Sequence, residues 1–221
     1  MDAVRYIVAL VVLVTLPPGI AFWYLAHPLA GFWRRVRPAA TYSVLVAVML
    51  AGMAGMYAAR RPLLQIEFGT HYALMGLGVL VYAWAIRWEI ALRRHLTLRI
   101  LTGVPELSSE HGQATLLTEG SYARVRHPRY VTVMVAILGF ALFTNYLAVY
   151  ALVPLTVGGL YLVVVLEERE LVERLGEPYE RYRRSVPMFV PGRRGAAKQR
   201  HATRDAEGPA VAERGPARRR P

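Results

Sequence analysis

Five apolar blocks, at 4–25, 39–59, 71–92, 131–143 and 147–166, occupy most of the chain up to residue 166. Four of them reach the roughly 17 to 25 residues that an α-helix needs to cross a bilayer. The block at 131–143 is shorter. Counted from Pro128 to Asn145 it gives about 27 Å at 1.5 Å per residue, just enough to cross. Lipid offers the backbone no hydrogen-bond partners, so apolar segments of this length are forced into helices. The expected fold class is an all-α integral membrane protein with about five transmembrane helices.

Composition narrows the chemistry. Of the 221 residues, 55% are hydrophobic and none is cysteine. Disulfides, thiolate metal sites and a thiol nucleophile are excluded. The formal net charge is +12. Much of it comes from arginines near helix ends and in the C-terminal tail, where they set topology and touch anionic membrane lipids. No interleaved basic and aromatic surface sits on a soluble module, so nucleic acid is not an expected partner.

Punctuation along the chain sets the expected boundaries. Pro17-Pro18 should kink or break the first helix. A cleaved signal peptide is the competing reading. Asp2 and a single Arg5 make a poor basic leader, and Phe22-Trp23-Tyr24 suits a membrane interface better than a cleavage site. A short loop comes next with Arg34, Arg35 and Arg37. Gly52 with Gly55 reads as small residues that let helices approach, and Gly76 with Gly78 as helix packing first and room for a ligand second. Trp84, Arg87, Trp88 and Glu89 mark the third helix leaving through the headgroup region. Segment 93–126 is long and polar; loops of this length are usually functional or disordered, and here an ordered cap is expected. Pro128 can open the fourth helix, and Thr144-Asn145 makes a turn. The fifth helix should run on into water as far as Leu175, supported by the pairs Arg169 with Glu173 and Glu170 with Arg174. Gly176 and Pro178 end it. Residues 192–221, basic and rich in Ala, Gly and Pro, should be disordered.

Three units result: N-terminal transmembrane helices at 1–92, a core with a helical hairpin at 93–191, and the tail at 192–221. Five crossings put the termini on opposite sides. The loop with Arg34 and Arg35, segment 93–129 and the C-terminal region share the side with the larger basic excess, which should be cytoplasmic. Arg60 and Arg61 lie on the other side, partly offset by Glu67.

The helical hairpin returns the chain to the side it left, so Arg126-His127-Pro128-Arg129-Tyr130 and Glu167-Glu168 should meet at one edge of the bilayer. Arg126 and Arg129 can bind a carboxylate or phosphate. His127 can titrate near neutrality or donate hydrogen bonds. Glu167 and Glu168 can hold an ammonium or a ribose. Adjacent helix residues point about 100° apart, so one glutamate is expected to face the pocket squarely. Tyr179, Arg181 and Tyr182 can fold back over the site. The alternative for each cluster is a helix cap, a headgroup anchor or a water boundary. A metal site is not expected: His111 and His127 are the histidines near the glutamates, without His-x-x-x-His spacing.

The string Gly120-Ser121-Tyr122-Ala123-Arg124-Val125-Arg126-His127-Pro128-Arg129-Tyr130 carries a resemblance when joined to the residues beyond the hairpin. There come Glu167-Glu168, Leu171, Gly176, Tyr179, Tyr182, Val186-Pro187 and Pro191. In order and spacing this resembles the C-terminal half of the isoprenylcysteine carboxyl methyltransferase and phospholipid methyltransferase superfamily. The resemblance covers about a third of the chain, while the N-terminal half matches in hydropathy alone. It implies an S-adenosylmethionine pocket at the cytosolic edge of the bilayer. His127, Tyr130, Glu167 and Glu168 become cofactor contacts, Arg126 and Pro128 shape the loop, and Tyr179 and Tyr182 close it. A lipophilic substrate would enter from the bilayer; the resemblance names no catalytic base. Membrane sterol reductases, which use NADPH, resemble the same pattern but carry Asp-Glu as the acidic pair and are usually longer. A non-catalytic membrane scaffold is the remaining alternative.

Overall fold

The computed structural model describes residues 1–26, 30–33, 35–93, 116 and 118–191. Residues 94–115 and 117 of the cap expected over 93–126, the tail at 192–221, and Arg34 and His111 lie outside the described residues. Among the described residues the regular secondary structure is helical, apart from one isolated bridge between Glu67 and Tyr146. Its long helices are α1 (Asp2–Ala26), α2 (Pro38–Ala58), α3 (Tyr72–Arg93), α4 (Pro128–Thr144) and α5 (Leu147–Leu175); α6 (Glu177–Ser185) comes after them. Four are long and apolar enough to cross a membrane, and α4 is a shorter apolar helix. This is the architecture of an all-α membrane protein. Its outward faces are apolar: Leu80 on α3 is 69% exposed and Leu155 on α5 is 67% exposed, the reverse of a water-facing surface.

Pro17 and Pro18 lie inside α1, which runs unbroken past them. The ring of Pro18 packs where α2 needs a small residue: a Cβ on Gly52 would sit 3.2 Å from Pro18 Cβ. A Cβ on Gly55, by contrast, would meet nothing within 4 Å. The tightest crossing joins α3 and α4. There a Cβ on Gly78 would fall 2.6 Å from the Gly139 carbonyl oxygen and 2.7 Å from the Phe143 nitrogen. Gly76, its neighbour in sequence, has open space. One glycine of each sequence pair thus makes the close approach.

The α4–α5 turn places Asn145 in the left-handed region, at φ 57° and ψ 41°, which asparagine tolerates better than most residues. Its side-chain amide donates to the Gly69 carbonyl at 3.0 Å, and its own carbonyl accepts from Phe68 N–H at 3.0 Å. Arg5, fully buried, fastens α1 to the same place. Its Nε donates to the Thr144 carbonyl at 2.9 Å, Nη1 reaches Thr70 Oγ1 at 2.8 Å, and Nη2 faces Glu67 Oε2 at 3.3 Å. The guanidinium also lies 5.5 Å from the Tyr146 ring centroid. The start of α1 and the α4–α5 turn therefore share one end of the bundle, with the starts of α3 and α5. The exit of α5 and the entry of α4 lie at the other end.

Replacing Arg5 with methionine removes these bonds. Asp2 and Glu67 retain solvent access, with side chains 78% and 45% exposed, so no charge is stranded. A loss of about 1–3 kcal/mol is expected, read as a lower melting temperature in detergent. An unchanged melt would mean that the buried arginine does not hold this end together.

Candidate functional site

Local chemistry starts both halves of the site. Pro128 stands in the first turn of α4, where its missing N–H costs no hydrogen bond. His127 is the N-cap but makes no side-chain cap bond, which leaves its ring free to turn toward α5. On the other half, α5 continues past the apolar block to Leu175, so Glu167 and Glu168 ride on an intact helix. Of the two ion pairs expected on this extension, Glu170 and Arg174 approach at 3.9 Å.

The two clusters meet. Arg126 Nε and Nη2 both donate to Glu168 Oε1, at 2.8 Å and 2.7 Å. The same oxygen lies 3.1 Å from His127 Nε2. Glu167 takes the other side of the ring, its Oε2 lying 3.7 Å from His127 Nδ1 and accepting from the Tyr130 hydroxyl at 2.8 Å. Both glutamates therefore face the His-Pro turn, where the 100° spacing predicts only one. The imidazole sits between them and lets the two diverging side chains converge. A neutral ring can donate to only one of these carboxylates.

The pair differs in access. Glu168 has its side chain 8% exposed and that of Arg126 is 9% exposed, whereas Glu167 is 23% exposed. Glu168 is enclosed by its partners, and Glu167 is still reachable from outside.

Gly176 then turns the chain sharply. At φ 62° and ψ −138° it ends α5 and begins α6 at once, a conformation that glycine adopts without the clash a Cβ would cause. The turn lays Tyr179 and Tyr182, both buried, against the site. Tyr182 donates to the Tyr122 carbonyl at 2.7 Å. Arg181 points away, its side chain 69% exposed beside Glu177.

The sequence pattern included Val186-Pro187 and Pro191 but gave the segment after α6 no contact with the site. Arg126 N–H donates to the Pro187 carbonyl at 2.9 Å and His127 N–H to the Met188 carbonyl at 3.1 Å. Arg126 Nη1 also donates to the carbonyls of Arg183 and Val186, and the Phe189 ring stands edge-on to His127 at 6.4 Å between centroids. Backbone carbonyls carry this strap, so Val186-Pro187 and Pro191 mark its place in the sequence without showing what it grips. Glu89 was also missed as a member of the neighbourhood: its carboxylate lies 3.1 Å from the Thr132 hydroxyl on α4.

Three tyrosines around the site are held neutral. Burial, then the Glu167 charge, pushes Tyr122 up to about 12. Burial raises Tyr179, with Glu168 next, and raises Tyr182, with Tyr122 next. Near neutral pH these are hydroxyl donors, not phenolate bases. Among the described residues the Tyr179 hydroxyl is buried with no hydrogen-bond partner, in a field set by Glu168, Arg126 and Glu167. Such an orphan is rare in a closed structure and common where a ligand belongs.

No family model and no solved structure matches the chain. Several curated proteins match part of it. It is 42% identical over 78 residues to the methanethiol S-methyltransferase of Crocosphaera subtropica, covering 34% of this chain and 28% of that protein. It is 35% identical over 77 residues to the protein-S-isoprenylcysteine O-methyltransferase of Schizosaccharomyces pombe, covering 34% and 33%. The cobalt-zinc-cadmium resistance protein CzcN of Cupriavidus metallidurans is 35% identical over 77 residues, covering 35% and 36%. The chain spans about a third of the length of the curated relatives it matches. Two of these three relatives are methyltransferases by name.

Proposed function

We propose that the protein is a membrane methyltransferase of the isoprenylcysteine and phospholipid methyltransferase superfamily. It transfers a methyl group from S-adenosylmethionine to a lipophilic acceptor. The observation that carries this reading is the meeting of the His-Pro turn with the Glu-Glu exit of α5, at 2.7–3.1 Å, in a chain locally similar to two methyltransferases.

The residues present fit the cofactor. Glu167, reachable and acidic, suits its ammonium. Arg126, engaged by Glu168 and by the Arg183 and Val186 carbonyls, holds the turn that presents His127, and the Tyr179 hydroxyl offers a donor to the cofactor's carboxylate. When bound, S-adenosylmethionine supplies an electrophilic sulfonium methyl, and in-line attack by an acceptor oxygen, nitrogen or sulfur exchanges one S–C bond for one bond to the acceptor. The chain contributes alignment and exclusion of water, and good alignment is worth about 7–11 kcal/mol in favourable cases. Glu168 acts as a positioning residue, holding Arg126 and His127 in place. Tyr130 does the same for Glu167. Pro128 fixes the start of α4, and Tyr182 ties α6 to Tyr122. The site faces the cytoplasm in this reading, where the cofactor is made, and the acceptor arrives from the bilayer between helices.

Incubation of protein-containing membranes with labelled S-adenosylmethionine, followed by mass spectrometry of the lipid extract, tests the reaction. A labelled lipid that depends on the protein supports it. Tight binding of NADPH with no binding of S-adenosylhomocysteine would replace it with a reductase reading.

Tyr179→Phe separates ligand contact from structure. Deleting an unpaired buried hydroxyl should leave the ligand-free melting temperature unchanged or raised, since such a group costs about 1–3 kcal/mol. S-adenosylhomocysteine binding should weaken about threefold to tenfold, read by calorimetry. A variant that melts lower and binds normally would make the hydroxyl structural.

A further inference from the structure

Between α1 and α5, well away from the polar site, lies a cleft of about 260 Å³ lined by Leu16, Pro17, Ala21, Leu155, Thr156 and Gly159 among others. Its walls are apolar and it opens between membrane-spanning helices, so a hydrocarbon chain is its natural solvent. One feature does not suit a plain hydrocarbon. Thr156 is 1% exposed and, among the described residues, its hydroxyl has no hydrogen-bond partner. An unsatisfied polar group between membrane-spanning helices costs several kcal/mol in lipid. A hydroxyl on the occupant would answer that need by accepting from Thr156.

Position along α5 says where such a chain would lead. Thr156 and Glu167 are eleven residues apart, which is about three turns, some 16 Å of rise and nearly the same helix face. Tyr24 donates to the Gly159 carbonyl at 2.7 Å and walls the cleft at the end nearer the polar site. Val163, fully buried, fills the next turn. The cleft is thus a separate compartment in line with the site.

We infer that the α1–α5 cleft binds a single-chain lipid carrying a hydroxyl near the bilayer midplane, with Thr156 as its hydrogen-bond donor. The inference goes beyond methyl transfer and stands or falls without it.

The test uses two photoreactive fatty acids bearing a diazirine, identical except that one carries a mid-chain hydroxyl. Each is added to the full-length protein in phosphatidylcholine nanodiscs, and labelled residues are mapped by mass spectrometry. The hydroxylated probe should label the cleft residues about two- to tenfold more than the plain one, the range that one buried hydrogen bond supports. Thr156→Val should erase that difference while leaving the melting temperature unchanged or raised. Gly159→Leu should suppress cleft labelling by both probes, since a Cβ there already sits 3.4 Å from Ile20 Cγ2. Labelling of exposed Leu80 on α3 should not change in either variant. Equal cleft labelling by the two probes in the wild type would overturn the hydroxyl. Cleft labelling no stronger than at Leu80 would overturn the site and leave ordinary lipid solvation.

Discussion

Glu168→Gln is expected to cost about 3–5 kcal/mol of stability and to weaken S-adenosylhomocysteine binding by at least tenfold. The stability figure rests on burial. One carboxylate oxygen receives Arg126 through two nitrogens and faces His127 as well. Removing its charge leaves a guanidinium whose side chain is only 9% exposed, and an uncompensated buried charge is costly. The binding loss rests on position: with its clamp gone, Arg126 cannot hold the turn that presents His127. Glu167→Gln is the control. That residue is more exposed and receives the Tyr130 hydroxyl, so its loss should cost about 1 kcal/mol of stability, while binding still falls at least tenfold. Thermal unfolding and calorimetry on the same detergent preparations read both quantities. If both variants melt and bind like the wild type, the acidic pair neither builds nor serves the site.

Gly78→Val should be the most damaging change in the transmembrane region. A Cβ at 2.6 Å from a backbone carbonyl oxygen and 2.7 Å from a backbone nitrogen cannot be relieved by a side-chain rotation. Helices α3 and α4 must separate, and overpacking of this kind costs about 1–3 kcal/mol or more. Separation also shifts α4, whose first turn carries Pro128 and Tyr130, so ligand binding should fall with stability. Gly76→Val, two residues away, meets open space and should change little. Thermal unfolding of the two variants side by side decides the matter; equal melting temperatures would mean that the close crossing is not maintained in the membrane.

Much of the architecture was legible in local sequence. Pro128 at a helix start, Asn145 at a left-handed turn and Gly176 at a sharp reversal fall where their backbone preferences put them. Return of the chain after a hairpin also brings the His-Pro turn and the Glu-Glu pair to one end. The internal arrangement of that end was not legible. Adjacent glutamates on a helix diverge by themselves, and an intervening imidazole made both useful. Val186-Pro187 stood in the sequence pattern, but side chains do not tell that the carbonyls of 186–188 grip Arg126 and His127. Nor does local sequence separate Gly78 from Gly76, or announce that Arg5 is a buried fastening at the far end.

By itself the sequence determined that this chain crosses lipid as helices, where those helices begin and end, and which polar clusters share an edge. These depend on hydrogen-bond satisfaction in a medium without water and on the backbone preferences of single residues, both of which are local. The tertiary structure alone decided which glutamate is enclosed and which is reachable, which glycine is a contact, and which hydroxyls are left without partners among the described residues. Those depend on how far each helix is rotated and shifted against its neighbours, a matter of packing between residues far apart in the chain.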